Sequence, residues 1–107
     1  MTTSVPVTQA SFTSEVVEAT TPVIVDFWAQ WCGPCAKLSP LLDGVATDLS
    51  GAVKVVTVDV DAERGLAAMY QVMSLPTVLI FNDGHVVDQF VGLLSKDEIL
   101  ARLSPLL

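Results

Sequence analysis

The stretch Val25–Pro40, VDFWAQWCGPCAKLSP, decides how the rest of the chain is read. It holds both cysteines, Cys32 and Cys35, with Gly33 and Pro34 between them. Upstream, VIVDFWA (23–29) is an apolar run interrupted only by Asp26 and bounded by Pro22 and Gln30. Its length and β-branched residues predict a strand buried on both faces, as in a parallel or mixed sheet. Downstream, Leu38, Leu41, Leu42, Val45 and Leu49 recur at helical spacing. Pro40 lies inside that helix and is expected to kink it. The cysteine pair therefore sits where a strand passes into a helix.

The elements outside this stretch follow from the same patterns. QASFTSEVVEA (9–19) places Phe12, Val16 and Ala19 on one helical face, with Thr8 or Ser11 as cap and Thr20-Thr21-Pro22 as terminator. AVKVVTVDV (52–60) predicts a second buried strand, and AERGLAAMYQV (62–72) a short helix weakened by Gly65. TVLIF (77–81) and VVDQFVG (86–92) flank NDGH, so Asp-Gly predicts a hairpin. Pro76 heads the first hairpin strand, where a missing N–H is tolerated. SKDEILARLSPLL (95–107) opens with a Ser95-x-x-Glu98 capping box and predicts a terminal helix. SVPV (4–7) fits a short leading strand. The early strand–helix–strand order requires a parallel pair with a right-handed crossover, and the hairpin adds antiparallel strands. The fold class is α/β, with helices covering both faces of a mixed central sheet.

Composition narrows the function. A chain of 107 residues, half of them hydrophobic, predicts a single domain over 1–107 with a real core. Five basic residues against 12 acidic ones give a formal charge of −7. That argues against nucleic acid or an anionic membrane as partner. No segment approaches the roughly 20 apolar residues of a membrane span. MTTSVPVTQASF lacks the basic-then-apolar order of a secretory signal, so a cytoplasmic protein is expected. In that compartment a CxxC pair is catalytic or metal-binding more often than structural.

Pro34 fits the first turn of the helix, where its absent N–H has no partner to lose. Cys32 then stands at the helix start and Cys35 one turn inside, on the same face. Closing a disulfide there needs Cβ atoms about 3.5–4.5 Å apart, a small adjustment. The helix start favours a thiolate on Cys32, lowering its pKa, while Cys35 faces the sheet. Cys32 is thus the candidate nucleophile and Cys35 the thiol that resolves the mixed disulfide. A purely structural disulfide over so short a loop would constrain the unfolded chain least. Zinc asks for four ligands, and one CxxC with the single His85, expected in a hairpin turn, does not supply them within one chain. No metal is expected.

Asp26, placed in a strand buried on both faces, is desolvated, which raises its pKa. Such a carboxyl near the sulfurs can take the proton of Cys35. Six residues of extended strand reach up to about 20 Å, so proximity to Cys32 is not given by spacing. A buried Asp satisfied by backbone donors is the alternative, and the residues alone leave both open.

VDFWAQWCGPCAKLSP, followed in order by LPT, NDG and VGLLSK, resembles the thioredoxin family over nearly the whole chain. Glutaredoxins share the fold but typically carry Pro-Tyr between their cysteines. The resemblance implies a thioredoxin fold with a five-stranded mixed sheet flanked by four helices. It implies a nucleophilic Cys32, a resolving Cys35, and Asp26 assisting proton transfer beneath Cys35. Gly33, Pro34 and Pro76 would tune the site, with a cis bond between Leu75 and Pro76. Trp31, Gly33, Leu75, Val91 and Gly92 would form an apolar surface for client proteins. Many family members carry a lysine near the buried aspartate, where this chain has Thr57. Lacking that cation, Asp26 is expected to rise further.

The resemblance implies a protein-disulfide reductant and electron carrier with no bound cofactor, and a monomer is expected because no apolar stripe is left unpaired. It would be recharged by a flavin-dependent, NADPH-using thioredoxin reductase and would pass electrons to client disulfide proteins. A redox-independent binding subunit on the same fold is the alternative. An oxidase or isomerase of another compartment fits less well, because Gly-Pro between the cysteines goes with a reducing potential in this family.

Overall fold

The computed structural model describes residues 4–107. Its strands are β1 (Ser4–Pro6), β2 (Val23–Trp28), β3 (Lys54–Asp59), β4 (Thr77–Asn82) and β5 (His85–Val91). The α-helices are α1 (Gly33–Asp48), α2 (Arg64–Met69) and α3 (Lys96–Leu103). A π-helical segment at Thr13–Val17 makes the fourth flanking helix, and a 3₁₀ turn at Ser104–Leu106 follows α3.

The five strands form one sheet in the order β1-β3-β2-β4-β5. β1 and β2 run parallel to β3, while β4 is antiparallel to β2 and to β5. This is the mixed sheet expected from the crossover and the hairpin. The hairpin turn is two residues long: Asn82 pairs with His85, and Asp83 and Gly84 take φ of 53° and 81°. Two consecutive positive φ values match the twist of the flanking strands, the demand that Asp-Gly meets. His85 opens β5 and is exposed.

Alternation along the strands builds two cores. Ile24, Val55, Val78 and Ile80 pack with Leu38, Leu42 and Val45 of α1 and with Ile99 and Leu103 of α3. Val23, Val25, Phe27, Val56 and Leu79 face the other way, toward Phe12 and Val16 of the first helical stretch and Leu66 of α2. Asp26 is two residues from Ile24, so strand geometry puts it on the α1 side of the sheet. The cysteines are carried at the start of that same helix.

Two helices are shorter than their periodicity predicts. Thr8 and Ser11 exchange backbone-to-hydroxyl hydrogen bonds and form their own turn, so the helical stretch begins only at Phe12. α2 stops at Met69 because Tyr70 turns into an aromatic cluster with Phe12 and Phe81, and Gln71 takes φ of 55°. α1 continues through Pro40 to Asp48. Ser95 caps α3 with both halves of the capping box in place.

Candidate active site

Cys32 is the N-cap of α1, and its extended backbone (φ −90°, ψ 106°) turns the chain from β2 into the helix. Pro34 occupies the first turn. Cys32 and Cys35 are joined in a disulfide, with their Cα atoms 5.3 Å apart. The Cys35 N–H donates to Cys32 Sγ at 3.2 Å. An unpaired helix-start amide thus points at the outer sulfur, which favours negative charge there. Both cysteines are buried and pack with Ala29, Trp28 and Leu75.

Asp26 is 2% exposed, and its Oδ1 has no hydrogen-bond partner. Backbone donors therefore do not satisfy that atom. Burial, with the charge of Asp43 adding to it, pushes the carboxyl up to about 7. Asp26 lines a cavity of about 350 Å³ together with Cys32, Cys35, Ser39 and Thr57. The spacing of six residues left this proximity open; the return of α1 over the sheet brings Asp26 and both cysteines to one cavity. Thr57 is the residue opposite Asp26 on the parallel neighbour β3.

The remaining site residues lie around the sulfurs. The Leu75–Pro76 bond is cis, and Leu75 packs against the cysteine cluster. Pro76 C=O accepts the Gly92 N–H at 2.8 Å, which ties the end of β5 to this loop. Val91 lies opposite Thr77 across the hairpin and is 60% exposed. Gly92 has φ of 93°, a conformation that glycine adopts without a Cβ penalty. Trp31 is 70% exposed, and its indole N–H donates to Asp61 at 2.9 Å.

Two contributors escaped the sequence reading. Asp43 stands on α1 four residues after Ser39, on the helix face that carries Cys35. That i, i+4 relation places it on the cysteine-bearing face, but its nearness to Asp26 depends on α1 folding over the sheet. Asp61, which holds Trp31, follows β3 and gave no signal. Among the described residues, no group of three or more His, Cys, Asp or Glu is placed to hold a metal ion. Among them no helix is long and apolar enough to cross a membrane.

Comparison with known proteins agrees with this geometry. The family model described as thioredoxin matches residues 3–105. Thioredoxin 1 of Synechococcus elongatus is 46% identical over 96 residues, covering 90% of each chain. A thioredoxin of Pseudomonas aeruginosa is 44% identical over 99 residues, covering 92% of each. One of Rickettsia felis is 42% identical over 94 residues, or 88% of this chain and 90% of its own. The family model and these relatives, matched over about nine-tenths of their length, show that this chain, with its disulfide-linked CxxC pair at the head of α1 on a five-stranded mixed sheet, belongs to the thioredoxin family of thiol–disulfide oxidoreductases.

Proposed function

We propose that the chain works as a protein-disulfide reductant in which Cys32 attacks, Cys35 resolves and Asp26 takes the resolving proton. The observation that carries this is the Cys35 N–H directed at Cys32 Sγ, with the buried carboxyl of Asp26, its Oδ1 unpartnered, on the same cavity. In the reduced protein the Cys32 thiolate attacks one sulfur of a client disulfide. A Cys32–client disulfide forms and the client's other sulfur leaves as a thiolate. Cys35 then passes its proton to Asp26 and attacks Cys32 Sγ. The second client thiolate leaves and the Cys32–Cys35 disulfide closes. The client gains two electrons and the chain loses two.

A carboxyl poised near neutrality is matched to accepting a proton at working pH. Trp31, Gly33, Leu75, Val91 and Gly92 serve as the surface on which client backbone docks, with Gly33, Pro34 and Pro76 shaping the approach. The open space around Gly33 and Gly92 supports that reading. The oxidised chain is reset by two electrons from NADPH through a flavin-dependent thioredoxin reductase. Membership in the thioredoxin family supports partners of this kind. The chain acts as one domain and as a monomer in the cytoplasm. The test is a Cys35→Ser variant exposed to cell extract. Mixed disulfides should accumulate on Cys32 and be released by dithiothreitol. An empty trap, or a Cys32→Ser variant that still reduces protein disulfides, would overturn the assignment.

A further inference from the structure

The cavity beside Asp26 has features that disulfide exchange does not require. Its volume of about 350 Å³ exceeds the space of a single water many times over. Asp26, 2% exposed, contributes a carboxyl whose Oδ1 is unpartnered. No described lining residue is cationic: β1 contributes Ser4 and Pro6, β3 Thr57, and α1 Ala36 and Ser39. On β4, Val78 stands opposite Asp26 and brings no charge. The charged group acting on Asp26 is Asp43, itself acidic, whose Oδ1 accepts the Ser4 hydroxyl. Lys54, Lys96 and Arg102 are paired elsewhere, with Glu15, Asp48 and Asp88.

We propose that this cavity binds a primary alkylammonium group supplied from outside the chain, which pairs with Asp26 and holds it as a carboxylate. A buried carboxylate needs a partner charge and hydrogen bonds, and an ammonium brings both. Its three donors suit one carboxyl oxygen and scattered hydroxyls such as Thr57 and Ser39. A guanidinium fork instead wants both oxygens of a carboxylate in plane, and a divalent metal wants several carboxylates. The apolar part of the lining, Pro6 and Ala36, accommodates an alkyl stem. The ammonium comes from a free amine or from a lysine of a docked protein, since the disulfide that meets the client lines the same cavity. On the reading that Asp26 accepts the Cys35 proton, occupancy would deprotonate the base before it is needed and so couple docking to resolution.

The test follows the Asp26 carboxyl carbon by NMR across pH in the oxidised protein, without turnover. Failure here therefore leaves the base role standing, and failure of the base role leaves this site standing. Ethylammonium chloride should lower the titration midpoint saturably by about one unit, a tenfold change, relative to sodium chloride at equal ionic strength. Amide shifts should concentrate at Thr57, Ser39 and Cys35 and vanish in Asp26→Asn. In a second arm, a peptide is joined by a disulfide to Cys32 of the Cys35→Ser variant. A lysine near the peptide's cysteine should lower the midpoint relative to norleucine there. Movement in both arms supports any small alkylamine as ligand, and movement in the peptide arm alone assigns the ammonium to a docked protein. Thr57→Lys, or Ser39→Lys should the first not fold, should lower the midpoint unaided and abolish the ethylammonium response. An unmoved midpoint in both arms, or amide shifts confined to surface carboxylates such as Asp61 and Glu63, overturns the proposal.

Discussion

Thr57 stands directly opposite Asp26 across the parallel pair β2–β3, and both residues border open cavity rather than each other's hydrogen-bonding groups. The threonine hydroxyl, carried on Cβ, makes no hydrogen bond to Oδ1 of the carboxyl and brings no charge to neutralise it. The fold therefore carries an acid that it solvates poorly, and this has consequences for stability as well as for chemistry.

The first consequence is a pH-dependent stability. Asp26 is raised from 3.8 to about 7 in the folded chain, so folding favours the protonated form. Its contribution is complete below about pH 4, is lost as pH rises through 7, and is constant above that. At 1.36 kcal/mol per unit the span is about 4 kcal/mol. Asp26→Asn should thus stabilise the oxidised protein by up to about 4 kcal/mol at pH 8 and by little at pH 4. Urea unfolding at both pH values measures this. Equal gains at the two would assign the effect to something other than ionisation.

The same substitution acts on the reaction in the opposite sense. With no carboxylate to receive the Cys35 proton, resolution of the mixed disulfide should slow by about 10²-fold. The loss should be largest near neutral pH and shrink in alkali, where Cys35 ionises unaided. Stopped-flow rates of client release from pH 6 to 9 report it. A variant with unchanged rates over that range has no need of Asp26 as base.

Trp31 offers a separate test of the docking surface. It is 70% exposed yet held in place by Asp61. An ordered, exposed aromatic is the kind of residue that dominates interface energies, at about 2 kcal/mol or more when truncated. Trp31→Ala should raise KM for protein disulfides and leave the rate with a small aromatic disulfide nearly unchanged. Asp61→Asn should produce a weaker version of the same split. Equal losses on both substrates would move Trp31 from docking into the chemistry.

How much of this was legible in the sequence depends on how local each feature is. The CxxC placement was readable because a strand end, a proline and a helix stripe all lie within one short stretch. The hairpin was readable because Asp83-Gly84 is a two-residue solution to a backbone problem. The face that Asp26 occupies follows from alternation with Ile24. The partners of these groups were not readable, because α1 has to fold over the sheet before Asp43 acts on Asp26. Trp31 and Asp61 likewise meet only through the β3 crossover. The C-terminal end of α2 falls short of its periodicity for the same reason: Tyr70 leaves the helix to join Phe12 and Phe81, residues far from it in the chain.

Gly92 separates conformational need from space. An added Cβ there would meet nothing within 4 Å, so no clash opposes a side chain. Its φ of 93° does, and the N–H bond to Pro76 fixes that conformation. Gly92→Ala should therefore cost about 1–2 kcal/mol, the penalty of left-handed backbone in an L-residue. The strain can be relieved by letting go of the Pro76 carbonyl, which would loosen the end of β5 from the loop beside the disulfide. Amide exchange at Gly92 would then quicken in the alanine variant by more than the global loss of stability explains. Exchange that tracks global stability alone would mean that the bond to Pro76 survives and the strain is absorbed elsewhere.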